Sequence, residues 1–502
     1  MKNSVLKCMA LASMISFTQA FSADTLSVWI MPNGASPQEK LEQTLKTFTT
    51  KTHIPTKVEV LDWGEAWNRI STALETGNNM PDVLQLGTTW VAYFAARGEL
   101  TPLNTHLSTF KPERFVAASY GTAHIDADSI IYSIPWFIDI RPVLGNKRIM
   151  KKYGITGDDI KTYDGFIKAI EKVNQGKEFL EDGAKVKGYA FPGKSDWNIP
   201  HNFAPWIWSN DGSFIEKDEQ GKWHASILKE STLHGIAKYL KFITDSLVST
   251  ETLQLNTAQI AQQFNNGELA FIVNTAEIVM QTRFEGSKGG LSNARIGEDS
   301  VGVFAIPHGL SGSISFVGGS NLAIPAKNKN KNALKLLQYL TSDENLDAYT
   351  RQIGFLPTSK NVLKSWAEDS EYKNLVDLLD SGRTYPSIPE WGDIEQLLVA
   401  MFSSIWELLE IPALCTDEKV FQIFKEYSDK INSRLGYTPT KTMTFAEFQE
   451  VWNAIIKPQE TEKKKDVPPP KQQANGINPT PYIFLFVLIV GFLFSYRRKK
   501  NK

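Results

Sequence analysis

Cysteine is almost missing from this sequence: its 502 residues hold only Cys8 and Cys415. Cys8 falls in an N-terminal leader without the small-residue lipobox of a lipoprotein. The mature chain therefore keeps one thiol, which excludes an internal disulfide and a zinc-thiolate site. Histidine is also sparse: the seven residues are scattered and show no His-Glu-x-x-His spacing, so neither a structural metal nor a cofactor is expected. A Gly-x-Ser-x-Gly elbow and a phosphate-binding loop are lacking too, which leaves no familiar catalytic signature.

What is present at the two ends points outward. Lys2 and Lys7 precede and begin an apolar run over 8–17, followed by "TQAFSAD", whose small residues suit signal peptidase; cleavage is expected after Ser22. At the other end, 458–481 is rich in Lys, Pro and Gln and lacks any apolar period, which reads as a disordered linker. "YIFLFVLIVGFLFSY" (482–496) and the basic tail 497–502 follow, a stop-transfer pattern that predicts a single C-terminal transmembrane helix with the body outside. Fifteen residues of helix rise about 22 Å against a hydrocarbon core of roughly 30 Å. Retained anchor and processed sorting tail both fit that length.

The net charge of −1 conceals an asymmetry. Two of the 54 Lys and Arg lie in the leader and nine beyond Lys457, against three of the 55 acids, so the body carries about −9. Nucleic acid is a poor partner for such a surface. Within the body, strand-like runs ("TLSVWIM", "TKVEVLDW", "PDVLQLG") alternate with helical ones, the first helix with a plausible cap at Ser36. This is α/β layering with parallel pairing, in which ligands sit beyond the carboxyl ends of the strands. Those ends carry Trp29, Asp62, Trp63 and, after a Gly-Thr-Thr turn, Trp90; Trp67 falls in an apolar helical stripe and reads as core.

Several longer strings resemble one family in its own order. "MPDVLQLGTTWVAYFAARGELTPL", "YSIPWFIDIRPVLGNKRIMKKYGI", "FNNGELAFIVN", "VGVFAIPHG" with "FVGGSNLAIPAKNKNKNALKLLQYLTSDE", and "GFLPTSK" are similar to the family 1 extracellular solute-binding proteins, the group that includes maltose-binding protein. The resemblance implies an α/β, two-lobed periplasmic binding protein fold (type II-like) with three hinge crossovers and a ligand cleft between the lobes. On that template the N-lobe is 23–134 and 275–325, and the C-lobe 135–274 and 326–457.

Sugars present apolar C–H faces and rims of hydroxyls, which call for flat aromatic rings and planar hydrogen-bonding side chains. Where the resemblance places the cleft, the aromatic candidates are Trp63, Trp90, Trp136, Trp206, Trp208 and Trp391. The polar ones are Asp62, Asp139, Arg141, Asn210, Asp211, Asn274, Ser320 and Asn321, with Gly319 beside Gly318 for close backbone approach. Arg141 reads equally as an ion-pair partner of Asp139, and Asn274 and Asn321 equally as turn caps.

The expectation is capture of a mono- or oligosaccharide by a monomer and its delivery, by cleft closure, to the permease subunits of an ABC importer. A membrane-tethered sugar sensor is the alternative. A carbohydrate-active enzyme built on Asp62 and Asp139 is a weaker one, since nothing fixes two carboxylates at a catalytic separation.

Overall fold

The computed structural model describes residues 25–34, 36–193, 196–283, 300–368 and 370–456. The leader, the linker, the 482–496 segment and the basic tail lie outside the described residues. Among the described residues no helix is long and apolar enough to cross a membrane. Contacts divide the chain into Met1–Ile455 and Ile456–Lys502, and all described residues but Ile456 belong to the first unit.

The strands are, in chain order, β1 (Leu26–Ile30), β2 (Thr56–Val60), β3 (Val83–Gly87), β4 (Ser133–Arg141), β5 (Val143–Asn146), β6 (Lys187–Tyr189), β7 (Ile215–Lys217), β8 (Trp223–Ala225), β9 (Leu269–Val273), β10 (Val301–Phe304), β11 (Ser315–Ala323), β12 (Leu356–Pro357) and β13 (Gly382–Arg383). They form one sheet in the order β12-β4-β11-β3-β1-β2 with β13 beside β11, a second in the order β10-β5-β9-β6, and the β7-β8 hairpin. β1 pairs in parallel with β2 and β3, whereas β11 runs antiparallel to both β3 and β4. Helices cover these sheets, so β3 and β9 are buried at every residue and show no polar alternation.

The helix Pro37–Thr52 begins without the cap expected at Ser36, whose backbone is left-handed and whose side chain makes no capping bond. Pro37 in the first turn needs no donor partner, which lightens the need for a cap. One polar residue inside the first sheet is fully satisfied. Gln85 accepts from the Met31 amide (3.0 Å) and Asn33 Nδ2 (2.8 Å), and donates to Asn33 Oδ1 (3.1 Å) and Ser320 Oγ (2.7 Å). It thereby pins the loop after β1 to β3 and β11.

The chain leaves the first sheet at Pro142, which has no amide to continue the β4 ladder, and enters β5 of the second sheet at once. The first crossing therefore follows Arg141, not Ile134 as the sequence pattern suggested. A second adjustment concerns 326–357. Leu336, Leu337, Leu340, Leu346, Tyr349 and Ile353 pack with Leu26, Val28 and Phe48 in the core of the first sheet, so this stretch sides with the first lobe and not with the second. An amphipathic stripe shows that a helix has a buried face but not which sheet covers it.

Gly319 shows why β11 and β4 approach so closely. Its φ is 133°, and a Cβ there would stand 2.2 Å from the Phe137 carbonyl oxygen, so only glycine fits before the irregularity between Ser320 and Asn321.

Candidate ligand-binding site

The carboxyl ends of β2 and β3 supply one wall. Asp62 caps the helix Trp63–Thr76 by accepting from the Gly64 amide at 2.8 Å, which places Trp63 in that helix's first turn. Trp90 follows the turn after β3, and its ring meets Trp63 edge-on at 5.6 Å and Trp67 at 5.3 Å. The opposite wall is built by Trp197, the helix Ile199–Trp208, the segment around Tyr385 and the helix Trp391–Glu410. The walls touch where Trp63 and Trp197 stack, with ring centroids 5.5 Å apart and planes 23° from parallel. Trp197 is 42% exposed, among the few large apolar side chains left at the surface.

Behind this pair lies a buried polar centre at the crossing. Arg141 donates to Asp139 Oδ2 from Nε (3.2 Å) and Nη2 (3.1 Å), and its guanidinium stands 5.3 Å from the Phe316 ring centroid and 5.8 Å from that of Trp197. The His201 ring stacks on Phe316 at 4.5 Å, with Nδ1 3.0 Å from the Tyr385 hydroxyl and Nε2 3.6 Å from Glu395 Oε1. Thr89, on the facing wall, donates to Glu395 Oε2 at 3.2 Å. Tyr385 stacks on Trp391 at 4.3 Å and meets the edge of Trp208 at 5.3 Å.

Burial shapes the electrostatics here. It pushes the Glu395 carboxyl up to about 7, against the opposing pull of donors on Thr89 and Trp90 and of Arg141. Glu277, at the second crossing, is also pushed up to about 7 by burial and by the charge of Asp139. Asp139 is raised by burial, with Arg141 opposing. His201 is held well below its ordinary value by burial and then by Arg141, so it is a neutral imidazole at pH 7.

The structure thus gathers Trp63, Trp90, Asp139, Arg141, Trp208 and Trp391 about one centre, with Asp62 at its rim. Other expected contacts have structural duties elsewhere. Trp136 is fully buried and stacks on Tyr349 at 4.7 Å with planes 5° apart, in the core of the first sheet. Trp206 is buried among Phe166, Tyr239 and Phe242 in the second lobe. Asn210 donates to the Trp206 carbonyl (2.7 Å) and accepts from Lys238 (2.9 Å), while Asp211 makes a turn at φ 64°. Asn274 receives the Thr275 amide at 2.7 Å, Asn321 ties Thr122 to Ser133, and Ser320 accepts from Gln85.

Trp197, His201, Tyr385, Glu395, Thr89, Phe316 and Glu277 were not singled out from the sequence. A signal existed for two of them, since Tyr385 and Glu395 bracket Trp391 in "YPSIPEWGDIE".

Because Asp62 is spent on a helix cap, Asp62→Ala is expected to cost about 1 kcal/mol of stability. Ligand affinity should change less than threefold. Thermal melts beside a ligand titration check this, and a large affinity loss at unchanged stability would return Asp62 to the site.

The family model for bacterial extracellular solute-binding proteins matches residues 43–375. The diacetylchitobiose binding protein DasA of Streptomyces coelicolor is 25% identical over 381 residues, which cover 75% of this chain and 83% of that protein. Two solved structures share the two-lobed fold. An ABC transporter solute-binding protein from Thermotoga lettingae, bound with α-D-tagatose, has a TM-score of 0.69 at 21% identity over 82% of this chain and 100% of its own. Maltose-bound MalE3 of T. maritima has a TM-score of 0.69 at 20% identity, over 82% and 99%. By a family match that spans more than half of its length, in keeping with its fold, the chain belongs to the bacterial extracellular solute-binding proteins.

Proposed function

We propose that this protein captures a mono- or oligosaccharide between the Trp63 and Trp197 walls and presents it to the permease subunits of an ABC importer. The observation that carries the reading is that facing pair of indoles, backed by Arg141, Asp139, Thr89 and Glu395. Two flat apolar faces fit the C–H faces of a pyranose, and the buried planar groups behind them offer directed hydrogen bonds. The relatives named for diacetylchitobiose, tagatose and maltose support the same class of ligand.

With the walls in contact, a saccharide must part Trp63 from Trp197 and then be clasped by them, so binding and lobe closure are one event. The protein works as an exported monomer. Its leader directs export, and the apolar 482–496 segment tethers the body, unless the tail is processed. A catalytic role finds no support: Asp62 caps a helix at the surface, and Asp139 is bound to Arg141.

The test is a titration of the purified chain with a panel of sugars, followed by tryptophan fluorescence and thermal stability. A saturable shift of both is expected, with Trp63→Ala and Trp197→Ala each weakening affinity by tenfold or more, about 1.4 kcal/mol. Silence toward every sugar would reject the reading, and turnover of one would replace it with an enzyme.

A further inference from the structure

The Arg141 centre gathers more carboxyls than cations. Asp139 bonds to the Arg141 guanidinium, Glu395 is joined to it through His201 stacked on Phe316, and Glu277 feels both Asp139 and Arg141. His201 adds no charge, being held neutral. Arg383, the next guanidinium, lies over Trp208 at 4.9 Å, bonds to Ser213 Oγ at 3.3 Å, and has Asp211 as its charge partner. Lys40 feels Glu277 but donates to the Gln352 carbonyl at 2.7 Å. Among the described residues no cation is left for Glu395 beyond its share of Arg141.

Two oxygens record the deficit. Asp139 Oδ1 and Glu395 Oε1 are buried, on residues 8% and 6% exposed; no donor reaches Asp139 Oδ1, and although His201 Nε2 stands 3.6 Å from Glu395 Oε1 and the Trp90 and Trp391 indoles pull on that carboxyl, none closes to hydrogen-bond geometry on Oε1. A buried carboxylate oxygen without a donor is costly, and proteins keep such groups where something else is meant to meet them. A metal ion is not the answer, since among the described residues no three His, Cys, Asp or Glu side chains are grouped closely enough to hold one. The surroundings suit an organic cation: Trp90, Trp391 and Tyr385 line Glu395, and Trp63 and Trp197 close the entrance. Aromatic walls with a carboxylate at their end attract an ammonium group, which brings a charge and several donors.

We propose that the ligand of this cleft carries a cationic amine placed at Glu395, an amine-bearing saccharide being the class. The proposal rests on the sugar reading and narrows it. A neutral sugar supplies hydroxyl donors to the two oxygens but leaves the charge uncompensated, so Glu395 must stay protonated to receive it. An amine brings its own charge, and Glu395 gives up its proton as the ligand enters. The body's net charge of about −9 likewise favours the approach of a cationic ligand.

The experiment titrates the full chain with matched sugars that differ only at C2: glucosamine, glucose and N-acetylglucosamine, and their β-1,4-linked dimers. Galactosamine with galactose, and the polyamine spermidine, complete the set. The amine member of a set is expected to bind at least tenfold tighter than its hydroxyl and acetamide partners at pH 7, and Glu395→Gln should erase that preference. The glutamine keeps the volume and the Thr89 bond, and a melt of the variant shows that it is folded. Hydroxyl or acetamide sugars binding as well as the amines would overturn the proposal and leave the sugar reading standing. Binding of spermidine with every sugar silent would support the cation and overturn the sugar. No response to any amine-bearing probe would overturn the proposal outright.

Discussion

Arg141→Ala is expected to cost about 3–5 kcal/mol of stability, the usual result of stripping the partner from a buried ion pair. Arg141 is 2% exposed and Asp139 8%, and the pair bonds through two guanidinium nitrogens, so no water replaces the lost cation. The damage also spreads. Arg141 holds down the carboxyls of Glu277 and Glu395 as well as Asp139, and without it all three rise further. Ligand affinity should fall with stability, because Arg141 lies behind both Trp197 and Phe316. The control is Arg141→Met combined with Asp139→Asn, which removes both charges and should recover much of the loss. Denaturant melts of the three proteins decide the matter. A loss below about 1 kcal/mol for Arg141→Ala would mean that the pair is solvated and the cleft open in solution.

The fold was legible because its signals are local. β1, β2 and β3 with their helices follow from short β-rich runs and turn residues read within a dozen residues, whereas the caps were misread: Ser36 makes no capping bond, and Asp62, expected at the ligand, makes one. The lobe boundaries were less so: the helices within 326–357 are amphipathic by pattern, and only the packed structure shows that they cover the first sheet. The site divided along the same line. Trp63 and Trp90 follow strand ends, and the structure brings their rings together. Trp136 and Trp206 look the same in sequence, yet they point into cores, since alternate residues of a strand or successive faces of a helix differ only in what lies opposite. His201 and Glu395 gave little signal, because a single buried histidine or glutamate inside a helix is defined by partners 184 to 194 residues away. His201 touches Tyr385 and Glu395, and Glu395 is met by Thr89 across 306 residues.

Raised carboxyls make the unliganded protein less stable as pH rises. Glu277 and Glu395 stand at about 7 in the folded state against an ordinary value of 4.5. Between those values the unfolded chain has lost both protons while the folded protein keeps them, so stability falls as pH rises from about 4.5 to 7 and is flat above. At 1.36 kcal/mol per pKa unit each group contributes about 3 kcal/mol to that fall. The groups that face Glu395 are Arg141, His201 and Tyr385, and those that face Glu277 are Asp139, Arg141 and Lys40; His201, whose ionisation burial displaces downward, opposes the slope below about 6.5, where the unfolded imidazole takes up a proton that the folded one does not, but one imidazole does not outweigh two carboxyls. Melting at pH 5.5 and pH 8 should therefore differ by several degrees, with the acidic sample the more stable, and Glu395→Gln should remove about half of the difference. A wild-type melting point that rises between the two would show that both carboxyls are ionised and paired in the folded state. A bound amine acts on the same balance, since it replaces the proton on Glu395, and so its stabilising effect should be larger at pH 8 than at pH 5.5.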